Sequence, residues 1–306
     1  MSRSVGYGVD IDGTVVGGIT EQSIDTGAEV NSEVTAGGTA PQFGELATVA
    51  TGGQFTGHDV AALLGELGSR GLCITGGADV GFGLWTLLKN DCGTIASGSV
   101  HRKMIIPNGL IVPRTLTVSQ GQRASLSCEV FGIYDGTNDP IIVTASVAAP
   151  TGLTDLIGYH LGPTTVGGVE LTKITQISMD FGIDVQQEYD DGESFPRSLH
   201  IGKVQPTMTI TTHDVEKFGT GAGKIPLRGL FGTHANTHTV LRKRDIGTAA
   251  FVTGANQAKF SMGGMVTARQ VASASGNSPH SMEVMITSLD DQTNEMVVMA
   301  FDHEIV

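Results

Sequence analysis

The sequence predicts a mainly β protein, built as two tandem copies of an antiparallel β-sandwich or barrel with one α-helix in each copy. Three observations lead to this class: a repeat at an offset of about 155 residues, segments in which apolar and polar residues alternate, and the 43 glycines of a chain rich in turns. The chain has 306 residues, of which 40% are hydrophobic. That length is enough for about two domains with cores of their own.

The repeat is clearest near the start of each half. Residues 19–60 align without a gap with residues 174–215, with 14 identities in 42 positions, whereas average residue usage would give roughly three. The ends of the two halves match as well, once a short gap is allowed. We therefore predict a duplication, with a first β domain at 1–150 and a second at 151–306.

Alternation predicts the strands. In the second copy, the apolar residues at 177, 179, 181, 183 and 185 alternate with polar residues or glycine, so one half-buried strand is expected there. The first copy keeps the polar face of this strand, with Ser23, Asp25, Gly27 and Glu29. A second alternating strand is predicted at 204–211. Further strands are expected at 105–106, 110–112, 116–118, 126–130 and 141–143.

One helix is predicted after the second strand of each copy. Residues 58–68 have leucines at helical spacing, Thr56 or Asp59 as the N-cap and Gly68 as the stop. Asp214 holds the same place as Asp59 in the second copy. The repeated His-Asp pairs could also indicate a catalytic base. We favour capping by Asp59 and Asp214, because a carboxylate at a helix start accepts free N–H groups and complements the helix dipole.

The sequence predicts no enzyme, no cofactor and no metal site. It contains no nucleophile elbow, phosphate-binding loop, zinc-protease motif or calcium loop. His234 and His238 have a spacing that suits a metal on a helix, but their neighbours are poor helix formers and no third ligand is near. The acidic turn at 190–193 is expected to be a solvated loop, since the first copy has no carboxylate there.

Charge and cysteine content limit the possible partners and compartment. The net charge of −13 argues against a protein that grips nucleic acid. Cys73, Cys92 and Cys128 have no metal-binding spacing, and we expect reduced, mostly buried thiols. No run of 18 apolar residues and no signal-like start occurs, so a soluble protein made in the cytoplasm is expected.

The order of elements resembles a known family. A strand "ITQISMDFGIDV", a loop with glycine and proline, a strand "VQPTMTITTHDV" leading into one helix, and a closing pair "SMEVMITS" and "NEMVVMAF" resemble the tail tube proteins of long-tailed bacteriophages. The resemblance is one of organisation and covers both halves. It implies hexameric rings that stack into a tube, with an inner sheet around a channel for DNA.

For this chain, which carries the fold twice, the resemblance implies a homotrimer that closes a ring of pseudo-sixfold symmetry. It also implies a place in the virion tail after assembly in the host cytoplasm, with tape measure, terminator and baseplate proteins as partners and no membrane. DNA would pass through the lumen without specific binding.

The polar strand face supplies the candidate channel wall. Asp25, Glu29, Asp180 and Asp184 are acidic in both copies, and an acidic wall repels phosphate. An acidic outer face that keeps the assembly soluble is the competing interpretation. Two other functions stay open: a baseplate hub or tail terminator with the same fold, and a carbohydrate-binding or enzymatic β-sandwich. The latter is disfavoured by a single tryptophan and four tyrosines.

Overall fold

The structure is a computed structural model that describes residues 3–34, 36, 39–41, 43–70, 72–74, 81–90, 92–137, 139–151, 158–244, 250–254, 256–273, 280–290 and 295–303. The described chain is mainly β, with antiparallel pairing between its strands, as the sequence predicts.

The elements of the first half are β1 (Arg3–Ile11), β2 (Thr14–Val16), β3 (Ile19–Asp25), β4 (Ala28–Glu33), β5 (Phe43–Val49), β6 (Gly52–Gly57), α1 (Val60–Arg70), β7 (Cys73–Ile74), β8 (Phe82–Lys89), β9 (His101–Ile106), β10 (Gly109–Ser119), β11 (Ser125–Gly132) and β12 (Ile142–Val147). Those of the second half are β13 (Gly158–Val166), β14 (Val169–Leu171), β15 (Ile174–Asp180), β16 (Ile183–Tyr189), β17 (Pro196–Val204), β18 (Thr207–Thr212), a 3-10 turn (Val215–Lys217), β19 (Leu230–Arg244), β20 (Gln257–Ser273), β21 (Ser281–Ser288) and β22 (Val297–His303).

One long sheet runs through both halves. Its strand order is β14-β13-β19-β20-β21-β18-β15-β10-β11-β6-β3, with β22 beside β20 and β7 beside β10. A second sheet of the first half has the order β12-β9-β8-β1-β2. The hairpins β4–β5 and β16–β17 are separate two-stranded sheets. The sheet of β10 continues directly into that of β15, so the halves are joined by strand pairing.

The two halves share strand bounds and register. Adding 155 to the residue numbers of β1, β2, β3 and β6 gives the bounds of β13, β14, β15 and β18. The pairing of β3 with β6 recurs in β15 with β18, including the irregularity near the strand start. The halves also differ. β20 spans the positions of both β9 and β10, which Pro107 and Asn108 separate in the first half.

A single hydrophobic core fills the space behind the long sheet. Helix α1 buries its leucines there and packs against β2, β7 and β10. Directly opposed apolar residues of adjacent strands form a continuous row through both halves. This row consists of Leu126, Leu116, Met179, Met208, Ile286 and Val266, each at most 4% exposed.

The prediction of one α-helix in each copy is wrong for the second half as far as it is described. There, the helix is replaced by the 3-10 turn Val215–Lys217. The residues that follow include Gly219, Gly221 and Gly223, all with positive φ. Glycine loses more backbone entropy in a helix than any other residue. The segment after Val215 therefore does not continue as a helix, whereas the corresponding segment of the first copy, with its leucines, does.

Both long alternating strands are interrupted. The strand predicted through 177–185 ends at Asp180 and resumes at Ile183 in a different sheet, with Gly182 at φ +59°. The apolar face survives this turn, since Phe181 and Ile183 remain buried. The strand predicted at 204–211 is also divided, between β17 and β18, because Pro206 has no N–H to donate to a ladder.

The prediction of mostly buried thiols is also wrong. Cys73 and Cys92 are exposed, whereas Cys128 is buried on β11, and none of the three forms a disulfide in the described structure. Burial raises the pKa of the Cys128 thiol. Among the described residues, no helix has the length and apolar character needed to cross a membrane.

The glycine turn between β15 and β16 gives a test of this architecture. A Cβ at Gly182 would lie 2.0 Å from the carbonyl oxygen of Gln205, whereas a Cβ at Gly192, also at positive φ, has nothing within 4 Å. We expect Gly192→Ala to cost roughly 1–2 kcal/mol of unfolding free energy through the left-handed backbone alone. Gly182→Ala should cost at least about twice as much, because backbone must move. Urea unfolding measures both, and equal losses would contradict the packing of this turn.

Candidate functional site

The long sheet has one polar face. Directly opposed residues of seven adjacent strands, from β3 to β21, form a polar row. The row crosses the joint between the halves, which is the pairing of β10 with β15. This row consists of Glu21, Thr56, Ser127, Thr115, Asp180, Thr207 and Thr287. All seven are half-buried or exposed, whereas the adjacent row on the opposite face is the buried apolar row of the core. The sheet therefore presents a broad surface of hydroxyl and carboxylate groups.

The polar face carries more acid than base. Its arginines are already paired. The Arg114 Nε atom lies 2.6 Å from Glu129 Oε2, and Arg269 Nη1 lies 3.6 Å from Glu283 Oε1. The carboxylates on the alternating polar positions of β3, β11, β15 and β21 are Glu21, Asp25, Glu129, Asp180 and Glu283. The surface is thus acidic overall, with its two guanidinium groups beside carboxylates.

The four acids predicted for the channel wall fall into two groups. Asp25 and Asp180 end β3 and β15 on the polar face, and their Oδ1 atoms accept hydrogen bonds from the N–H groups of the glycines two residues later, at 3.0 and 2.8 Å. Glu29 and Asp184 lie beyond those turns, on β4 and β16 of the separate hairpins. All four are exposed. The expectation of one continuous strand face for all four is therefore wrong.

The joint between the halves is a ladder between β10 and β15. Thr115 lies opposite Asp180, and Thr117 lies opposite Ser178. The Phe181 N–H donates to the Arg114 carbonyl oxygen at 3.0 Å, immediately beyond the ladder. Arg114 itself occupies a bulge in β10, and its Nη1 donates to the Ile183 carbonyl oxygen of the second half. This one side chain therefore bridges the joint on the polar face.

The hairpin of the second half packs against the first half. The Val49 N–H donates to the Ser194 carbonyl oxygen at 2.7 Å, and the Tyr134 N–H donates to the Pro196 carbonyl oxygen at 2.9 Å. Burial and the Glu29 carboxylate raise the pKa of Tyr189. Between this hairpin and the polar face lies a cleft of about 680 Å³, whose lining includes Asp25, Gln54, Glu129, Val185 and Tyr189.

The two aspartates predicted as helix caps behave differently. Asp59 precedes α1, and its Oδ1 accepts the Ala62 N–H at 3.3 Å, in the geometry of an N-cap. Burial raises the pKa of the Asp59 carboxyl. Asp214 makes no side-chain cap bond to the 3-10 turn, so the predicted cap is wrong there. Its Oδ2 accepts instead from the N–H and hydroxyl groups of Thr172, at 3.1 and 2.9 Å.

The repeated histidines have equivalent structural partners. His58 Nδ1 lies 2.8 Å from the Ala124 carbonyl oxygen, and His213 Nδ1 lies 2.9 Å from that of His280. His234 and His238 fall within β19, but their side chains are outside the described part of the structure. Within the described residues, no three histidine, cysteine or acidic side chains come together as metal ligands.

Sequence reasoning missed Arg114, the side chain that bridges the halves. A signal was available, because Arg114 recurs as Arg269 at the offset of 155. The acidic turn at 190–193 is exposed, as expected for a solvated loop. Arg197 Nε lies 3.6 Å from Asp190 Oδ2, and Arg197 Nη2 lies 3.6 Å from Glu193 Oε1.

Comparison with known proteins gives no independent assignment. No protein-family model matches the chain, and no curated protein matches it. The case for a function therefore depends on the sheet surface and the joint described above.

Proposed function

We propose that the protein is a structural subunit of a virion tail tube, which assembles with copies of itself into stacked rings around a channel for DNA ejection. The observation that carries this proposal is the part of the long sheet from β3 to β21, which runs through both halves with one polar and one buried face. A sheet with such a face can line an aqueous channel while its apolar face seals against the core. The resemblance to phage tail tube proteins supports the same role.

The chemistry of the polar face suits a channel for a polyanion. Duplex DNA binds wherever lysine or arginine neutralises its phosphates and releases counterions. Here hydroxyl groups and carboxylates prevail, and the guanidinium group of Arg114 is held by Glu129 and a backbone carbonyl. DNA would therefore slide past this surface, because the wall repels phosphate and offers it few donors.

The shared strand bounds of the two halves support a duplicated subunit. Each chain would supply two similar halves to the ring, so three chains would close a ring of pseudo-sixfold symmetry. In this proposal the protein acts through assembly and not through catalysis. It takes its place in the tail after assembly in the host cytoplasm, in contact with tape measure, terminator and baseplate proteins.

Electron microscopy and native mass spectrometry of the purified protein test the proposal. We expect hollow tubes, together with free rings whose mass corresponds to three chains. Rings that do not stack would favour a baseplate hub or tail terminator instead. A protein that stays monomeric over the whole accessible concentration range would overturn the proposal and favour a carbohydrate-binding sandwich.

The channel wall is tested by placing positive charge on strands of the polar face that do not themselves form the joint. Gln54 on β6 and Thr209 on β18 are equivalent positions, one in each half. Tubes of the double variant Gln54→Lys/Thr209→Lys should bind duplex DNA at low salt, whereas parent tubes should not. Filter binding or fluorescence anisotropy measures this difference.

The matched control carries the same added charge on the two hairpins. Asn31 on β4 and Gln186 on β16 are also equivalent, and both are exposed. Tubes with Asn31→Lys/Gln186→Lys should bind less DNA than tubes with lysines on the polar face. Equal binding by the two variants would mean that the polar face does not line the channel.

A further inference from the structure

The part of the long sheet from β3 to the end of β20 has two free strand edges, which repeat the two strands of the internal joint. β3 corresponds to β15 at an offset of 155 residues. The last part of β20 corresponds to β10, since the pair Gly109 and Gly132 recurs as Gly264 and Ser288. In the described structure β3 pairs only with β6, and β20 beyond Val266 pairs only with β21. Each edge thus lacks the neighbour that its equivalent has at the joint.

The irregularity that holds Arg114 is also repeated. The ladder of β10 with β11 shifts between Pro113 and Thr115, and that of β20 with β21 shifts between Ala268 and Gln270. The β20–β21 ladder shifts once more, between Gln270 and Ser273. Arg269, within the first of these shifts, therefore occupies the bulge position of Arg114. Its side chain is 66% exposed, whereas that of Arg114, which reaches across the joint, is 33% exposed. Arg269 thus lies at the same kind of bulge as Arg114, but no strand equivalent to β15 lies beside it in the described structure.

Burial differs between the joint and the edges in the same way. Val49 donates its N–H across the joint and is 7% exposed, whereas its equivalent Val204 is 39% exposed. Pro196, which accepts a hydrogen bond across the joint, is buried, whereas its equivalent Pro41 is exposed. Apolar residues that are buried at the internal joint are exposed at the two edges. Pairing of these edges with another chain, in the manner of the joint, would bury them.

We infer that a second copy of this chain adds its β3 to the free edge of β20 in the register of the internal joint. Applying the offset to the β10–β15 pairs places Gln270 opposite Asp25 of the neighbouring chain. Ser273, which pairs with Ser281 as Thr117 pairs with Ser125, lies opposite Ser23 of that chain. Arg269 then donates to the Ala28 carbonyl oxygen, as Arg114 does to that of Ile183. This inference rests on the proposed self-assembly and specifies its interface.

The register is tested by a disulfide between chains. Thr117 and Ser178 form a non-hydrogen-bonded pair, because Phe181 donates to Arg114 and Gln120 donates to Thr175 on either side of the ladder. In such pairs the Cα atoms lie about 4.5 Å apart, within the range of a disulfide. With Cys73 and Cys92 replaced by serine, Ser23→Cys/Ser273→Cys should form a ladder of cross-linked chains on mild oxidation, seen by non-reducing electrophoresis.

Two control variants make the result interpretable. Thr117→Cys/Ser178→Cys should form a disulfide within one chain even without assembly, which shows that the joint geometry is present. Gln22→Cys/Ser273→Cys shifts the register by one residue along β3 and should not cross-link, because successive residues of a strand point to opposite faces. Circular dichroism checks that each variant keeps the parent fold.

A variant without cysteines tests the same interface. Arg269→Ala should raise the concentration needed for assembly by about tenfold, through loss of one charge-assisted hydrogen bond. Assembled rings without the Ser23–Ser273 cross-link would overturn the inference and leave the proposed function standing. A chain that neither assembles nor cross-links, while the internal control forms its disulfide, would overturn both.

Discussion

The pairing of β10 with β15 is the interaction on which the rest of the structure depends. An unpaired strand edge leaves a row of backbone donors and acceptors exposed, and each half would have such an edge if it folded alone. At the joint these groups pair, with Thr115 to Ser119 opposite Gln176 to Asp180. The register of this pairing also places the polar residues of both halves on one face of the sheet and the apolar residues on the other. Thr115 and Asp180 share the polar face, and Leu116 and Met179 share the buried face.

The bulge in β10 adds a side-chain connection to this backbone ladder. A bulge leaves one residue out of the regular pairing and re-aims its side chain. Arg114 is that residue, and its guanidinium group satisfies the Ile183 carbonyl oxygen just beyond the last ladder pair, where the chain turns into the hairpin. A buried carbonyl without a donor would weaken the turn. The joint, the turn at Gly182 and the position of the hairpin are therefore linked.

Local sequence signals identified many strands, but not β1, β8, β19 or β20, and not the arrangement of the strands. Leucines at helical spacing indicated α1, yet the repeat alone could not show that the glycines after Val215 would stop a second helix. Alternation showed the buried face through Phe181 and Ile183, but the left-handed turn at Gly182 sends the chain into another sheet. The joint itself lay beyond local reasoning, since it pairs strands about 60 residues apart in sequence that no turn connects.

Hydrogen–deuterium exchange tests the central claim, that one kind of strand joint holds both the chain and its assembly together. In the unassembled chain the amides of β10 and β15 at the joint should exchange slowly, while the outward amides of β3 exchange fast. In the assembly the amides of β3 and those at the end of β20 should slow by at least about tenfold, with little change at β10 and β15. Unchanged exchange of β3 in an assembly that has formed would contradict the account.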